Sequence, residues 1–252
     1  MNGYAAFLKK ELTENLKNYR FMILFAVFLV FGLSSPLLAK SMPEILSAVA
    51  ADMRMGTDPV ALDAWEQFFK NISGVGFSAF IILFGSCMSS EYSKGTLVLL
   101  VTKGLPRWAV ILAKYTVAAI LMTVCYWTGF LAAYCYTGYL WPGVALCHVL
   151  TAAFYLWLIG FLYLSILLLG CVLFKQTFTS ILFTGGVVAL ISLLGIAPPL
   201  AQFNPFLLTS KNVDLISGVA SGSEFFGPAV ISVAITVVGL WSAILFFDRR
   251  QL

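Results

Sequence analysis

Charge is what this sequence has least of. Only 10% of its 252 residues are charged while 61% are hydrophobic, whereas soluble chains devote about a quarter of their residues to charge. Fifteen Lys and Arg and eleven Asp and Glu cannot clothe a water-facing surface of this size. The composition therefore describes an integral membrane protein. A lone histidine, His148, excludes a metal site built on histidines and leaves no acid-base constellation for an intramembrane hydrolase. The five cysteines, Cys87, Cys125, Cys135, Cys147 and Cys171, include no CxxC pair, so they read as small core hydrophobes. The net charge of +4 is scattered, where a nucleic-acid partner would require a clustered basic face. No GxxxxGK[ST] occurs, so the chain has no phosphate-cradling loop of its own. Gly74, Gly76 and Ala79 spell GxGxxA but open an apolar run, which suits helix packing better than dinucleotide binding.

What is present is six apolar runs of the roughly 20 residues that a bilayer core demands: Phe21–Ala39, Ile72–Ser90, Trp108–Gly138, Leu146–Phe174, Phe178–Ala197 and Phe226–Phe247. The expected fold is an all-α polytopic membrane protein with a six-helix domain over 21–252. Polar residues precede the first run, which argues against a cleaved signal. With the N-terminus inside, eleven of the fifteen basic residues fall on the cytoplasmic side, as the positive-inside rule requires, and both termini are cytoplasmic. Lys114 is the basic residue inside a run, near its start, and the acidic residues all fall outside the runs. A self-powered carrier usually keeps an ionisable group at mid-membrane.

Three segments outside the runs carry further signals. Residues 1–20 place Tyr4, Phe7, Leu8, Leu12 and Leu16 near one helical face, the pattern of an amphipathic elbow along the cytoplasmic membrane surface. Leu8, Leu12 and Leu16 are expected in the headgroup boundary, with Lys9, Lys10 and Lys17 near anionic lipid heads. The external loop 40–71 suggests two short amphipathic helices broken around Gly56 and Pro59. Pro and Gly interruptions in the region 198–225 suggest a broken, partly inserted external hairpin.

The segment 89–108 is the densest. Gly95 offers a break, Thr96 a cap for an apolar turn beginning at Leu97, and Pro106 a stop before the third run. A short amphipathic element here would expose Glu91, Lys94, Lys103 and Arg107 to whatever docks from the cytoplasm. Glu91, Gly95-Thr96-Leu97, Leu99-Leu100, Pro106-Arg107-Trp108 and Lys114-Tyr115 together resemble the permease subunits of ABC transporters of the ABC-2 type. Six spans, an elbow and an interrupted hairpin before the last span fit the same family.

The resemblance implies an exporter subunit in a bacterial or archaeal plasma membrane. It would pair with a second permease copy or homologue, with a substrate pathway lined by spans two and five. It would bind no cofactor and be no enzyme itself, since ABC ATPase subunits would hold ATP and Mg and dock on Glu91, Lys94, Gly95, Thr96, Leu97, Lys103 and Arg107. The alternative is a stand-alone six-span carrier, or an immunity or scaffold protein, without an ATPase partner. The topology makes a direct prediction. Cysteines introduced near Lys94 and Arg250 should react with impermeant maleimide only from the cytoplasm, and those near Asp58 and Ser221 only from outside. External labelling at position 94 would reverse the orientation.

Overall fold

The computed structural model describes residues 3–49, 58–97, 102, 104–144 and 146–249, and among them there is no strand. Helix α1 (Gly3–Lys17) precedes α2 (Arg20–Val49), α3 (Ala61–Asn71), a π turn (Ile72–Gly76), α4 (Phe77–Phe84) and α5 (Ser89–Lys94). Then come α6 (Arg107–Leu140), α7 (Val149–Leu173), α8 (Thr177–Leu194), the short α9 (Pro198–Ala201), α10 (Leu207–Ser210) and α11 (Asn212–Ile216), and finally α12 (Gly222–Arg249). Six helical stretches are long and apolar enough to cross a membrane: Arg20–Met42, Ala61–Tyr92, Arg107–Leu140, Val149–Leu173, Thr177–Leu194 and Gly222–Arg249. Each contains most of one apolar run read from the sequence.

In the interval 40–71 the two expected helical stretches are present in part but are continuous with the spans instead of separate from them; Pro59 precedes α3, and Gly56 lies outside the described residues. Helix α2 carries on to Val49, and α3 runs through the π turn into the second span. Packing supplies the reason. Ala61, Ala64, Trp65, Phe68 and Phe69 lie on one buried face of α3, where Trp65 and Phe68 meet Phe130 of α6. The Val60 backbone N–H donates to the Asp63 carboxylate at 2.9 Å, which fixes the helix start. The π turn admits an extra residue; Ile72 at its start and Phe77 just after it are both buried.

Helices α6 and α7 are the most buried spans, and the others pack around them. Where α2 crosses α6 the backbones touch. A Cβ on Gly32 would lie 2.3 Å from the Gly129 carbonyl oxygen, and one on Gly129 2.6 Å from that of Phe28. Only glycine permits such an approach, and in lipid, where burial gives no advantage over solvent, close van der Waals contact holds spans together. The buried Tyr126 hydroxyl of α6 donates to the Ala153 carbonyl of α7 at 2.7 Å. Helix α12 lays a stripe of Ser232, Thr236, Gly239 and Ala243 on α7, with Gly239 against Ser165. Helix α8 buries only Ser180 and Thr184, the former donating to the Gly170 carbonyl at 3.2 Å.

Region 198–225 consists of the one-turn helices α9 to α11 and the start of α12. Asn204 ties its first turn down: its amide donates to the Ile191 carbonyl at 2.6 Å and its carbonyl accepts from the Phe206 N–H at 2.8 Å. Helices α10 and α11 pack on α7, and α11 also on α3. Two cysteines depart from the core reading: Cys125 and Cys171 are buried and Cys87 half-buried, but Cys135 and Cys147 are exposed. His148, in the left-handed region at φ 59°, immediately precedes α7.

The glycine crossing generates a prediction. Gly129→Val should lower the free energy of unfolding in detergent by about 1–3 kcal/mol through overpacking. Gly185→Ala, where an added Cβ meets nothing within 4 Å, should leave it unchanged. Equal effects would mean that α2 and α6 do not touch at this point.

Candidate functional site

Five charged side chains meet where α1, α5 and the start of α6 converge. Lys114, in the second turn of α6, is enclosed by its neighbours, as are Glu11 of α1 and Glu91 of α5; each of the three is no more than 5% exposed. The Lys114 ammonium donates to Glu11 Oε1 at 3.0 Å and to the Cys87 carbonyl at 3.0 Å, and lies 3.1 Å from Glu91 Oε2. Lys10 closes the network from the solvent side. Its Nζ lies 2.6 Å from Glu91, 2.9 Å from Glu14 and 3.1 Å from Glu11. Both ammonium groups also stand over the face of Phe7, at 5.2 and 5.8 Å, where the ring quadrupole adds attraction.

The physics of this cluster is severe. A buried ammonium costs several kcal/mol unless carboxylates meet it with good geometry, and removing one partner of such a pair typically costs 3–5 kcal/mol. Burial by itself would lower the Lys10 pKa, but the Glu91 hydrogen bond together with Glu11 and Glu14 holds it above the usual lysine range. A raised folded-state value contributes stability that is fully present below the ordinary lysine pKa and is lost as pH rises through the raised one. The Lys10 interaction therefore persists through the neutral range. Oxygens of Glu11, Glu14 and Glu91 lie within 4.8 Å of one another, a spacing that would suit a cation. Lys10 Nζ already sits within 3.1 Å of all three residues, and the cluster is an ion-pair network.

Further bonds brace the same corner. Arg20 donates to Ser86 at 2.7 Å and to Asn15 at 3.4 Å, while Asn15 donates to the Glu11 carbonyl at 2.9 Å. Ser89 and Thr177 share a hydrogen bond of 2.5 Å, joining α5 to the start of α8. Beyond Glu91, α5 ends at Gly95 in the left-handed conformation, φ 64° and ψ 12°, a standard helix C-cap. A cavity of about 330 Å³ lies between α1 and this turn, lined by Lys10, Glu14, Asn18, Ser90, Glu91 and Thr96.

Several sequence expectations change here. Glu91, read as exposed for docking, is buried and neutralised inside the chain. Arg107 is half-buried and caps the end of α12, donating to the Phe247 and Asp248 carbonyls at 3.0 and 2.9 Å. The Thr96 hydroxyl donates back to the Glu91 carbonyl at 3.4 Å, and the turn it was expected to cap runs from the buried Leu97 into residues outside those described. Lys94 ends α5, while Lys103, Leu99 and Leu100 lie outside the described residues. On α1, Leu8 and Leu12 pack against the protein core; Leu16, Lys9 and Lys17 are exposed, and Lys10 serves the ion network.

Glu11 and Lys114 went unassigned in the sequence reading of this site, although each left a signal. Glu11 falls on the apolar stripe of α1, four residues after Phe7, and Lys114 interrupts an apolar run. A carboxylate and an ammonium that both violate hydrophobic patterning are candidates for each other.

Comparison with known proteins adds one finding. A family model described as ABC-2 family transporter protein matches residues 5–252, nearly the whole chain. No curated protein matches it.

The ion network predicts a graded series of substitutions. Lys114→Met should cost about 3–5 kcal/mol of stability, because Glu11 and Glu91 lose their buried partner, whereas Lys10→Ala should cost about 1 kcal/mol or less at its more exposed position. Adding Glu11→Gln to Lys114→Met should restore part of the loss. Equal losses for the two lysines in a detergent unfolding titration would contradict the burial described here.

Proposed function

This chain belongs to the ABC-2 transporter family, and from that premise we propose that it is the permease of an exporter driven by separate ATPase subunits, with the α1, α5 and Gly95 corner receiving their movement. ATP and Mg belong to those partners, since this chain has no phosphate-binding loop. A second permease copy or homologue completes the substrate pathway, and both termini face the cytoplasm of a plasma membrane. The observation that carries the proposal is that Glu91 is tied at once to Lys10 of α1 and Lys114 of α6.

An ATPase can shift a transporter between conformations only by making different contacts with each. Those contacts reach the spans only through elements that move as a unit. Charge-assisted bonds lock α5 to α1 and to the base of α6, the span that crosses α2 at Gly129 and shares the core with α7. A push on the segment beyond Gly95 therefore displaces α6 and its neighbours. The left-handed Gly95 sets the direction in which that segment leaves α5.

The experiment follows from Gly95. An added Cβ there meets nothing within 4 Å, so Gly95→Val acts through backbone conformation alone, at a cost of about 1–2 kcal/mol for the left-handed turn. The variant should insert and fold, yet lose ATPase co-purification or transport-coupled ATP hydrolysis. Glu91→Lys should be more damaging than Glu91→Gln, since it adds a third cation beside Lys10 and Lys114, and its burial means that it loses stability as well. A Gly95→Val protein that retains its ATPase and transports at the unmodified rate would overturn the coupling role.

A further inference from the structure

A groove of about 340 Å³ runs along the outer side of the α6 and α7 pair, lined by Tyr115, Thr116, Ala119 and Thr123 of α6 and Phe161 of α7, with the exposed Ile120 and Val124 beside them. Its depth in the bilayer follows from the ion network. Lys114 pairs with Glu11, which also meets Lys10, and Lys10 remains 42% exposed; charged groups of this kind keep to the water boundary. Tyr115 is the next residue. From Tyr115 to Val124 the helix rises by nine residues, roughly 14 Å, against about 15 Å for half of a hydrocarbon core. The groove therefore spans one leaflet.

Its polarity is equally specific. The Thr116 hydroxyl donates to the Leu112 carbonyl at 2.7 Å and shares a 3.3 Å hydrogen bond with Tyr4. The Thr123 hydroxyl donates to the Ala119 carbonyl at 2.7 Å and accepts from the Trp157 indole N–H at 3.1 Å. Both are satisfied within the chain, so most of the groove offers an occupant only apolar contact. Tyr115 differs: half-buried, with its ring 6.5 Å from that of Phe161, it makes no hydrogen bond through its hydroxyl. Helical side chains lean toward the helix N-terminus, which carries that hydroxyl toward the water boundary. At the same end Tyr4 stacks on the exposed Trp108 at 6.3 Å, an aromatic pair of the kind that settles at headgroup level.

We infer that this groove is a binding site for a phospholipid of the leaflet that meets α1, with one acyl chain lying from Thr116 to Val124 and an ester carbonyl accepting a hydrogen bond from the Tyr115 hydroxyl. A hydroxyl left unpaired in hydrocarbon is costly, and the ester region at the boundary supplies its acceptor. A helix of a second copy spends its backbone carbonyls on its own ladder, and a polar solute finds no partner along the groove. An acyl chain asks only for the apolar contact that the groove provides. The inference requires that the spans cross a bilayer and does not rest on the transport reading.

The test reconstitutes the full chain in vesicles of phosphatidylethanolamine and phosphatidylglycerol that contain a sub-saturating amount of phosphatidylglycerol with a diazirine midway along one acyl chain. Irradiation is followed by mapping of the adducts by mass spectrometry. Adducts should be several-fold denser on residues 119–124 and Phe161 than on the lipid-exposed Val230, Val237 and Trp241 of α12. Ala119→Phe fills the groove and should abolish its adducts while those on α12 persist. Tyr115→Phe keeps the ring and should reduce groove labelling about two- to tenfold, the worth of one hydrogen bond. The pattern on the unmodified chain decides the question even where Ala119→Phe fails to fold. Labelling as dense on α12 as in the groove would overturn the inference, leaving ordinary contact with bulk lipid. A groove without adducts beside a labelled α12 would overturn it as well, since protein would then cover the site, and unchanged labelling in Tyr115→Phe would remove the hydroxyl from it.

Discussion

An ammonium group taken out of water survives only where carboxylates surround it, and Lys114 imposes that condition on two other helices. Glu11 must come from α1, which fixes that helix against the base of α6, and Glu91 must come from α5, which fixes the end of the second span. Neither carboxylate would be tolerated at its level of burial without Lys114, and Lys114 would be costly without both. Lys10 then settles the excess negative charge from the solvent side. Around this corner the remaining polar groups fall into place: Arg20 onto Ser86 and Asn15, Ser89 onto Thr177, Lys114 onto the Cys87 carbonyl. A membrane protein has little hydrophobic force to press helices together, so a directional network of this kind decides their arrangement with unusual authority.

The rest of the bundle obeys a different rule. Between α2 and α6 the determining feature is absence of side chain, at Gly32 and Gly129, and between α7 and α12 it is the small stripe facing Ser165. Those contacts need close backbone approach, whereas the charged corner needs long side chains that reach across a gap. The two devices occupy one helix, since α6 carries Lys114 near one end and Gly129 further along. Movement imposed at the first is felt at the second because a helix between them is stiff. That stiffness is the physical reason for proposing that the corner acts in an ATP-driven cycle.

Much of the architecture was legible in the sequence. The six spans follow from runs of apolar residues, because a lipid core accepts little else. Gly95 was legible as a break because glycine is the default residue for a left-handed turn. Less legible was the path from 40 to 71, where the apolar face of ALDAWEQFF is compatible with a free amphipathic helix or with one docked on Phe130 and continuous with the next span. The amphipathic pattern of α1 was equally ambiguous. Leu8 and Leu12 suit lipid headgroups and a protein surface alike, and it was Glu11, inside the same stripe, that marked the face as protein-bound.

Hydrophobic length and charge distribution by themselves determined that this chain is a six-span, all-helical membrane protein, since those properties depend on each segment's transfer into lipid and on no other segment. Only the tertiary structure decided which charges are buried and which partners they meet. Glu91 is acidic and lies at a span end in any reading of the sequence. That it is neutralised by Lys10 and Lys114, eighty-one residues behind it and twenty-three ahead, depends on the approach of three helices. Coulomb interactions fall off with distance in space, and separation along the chain does not report that distance.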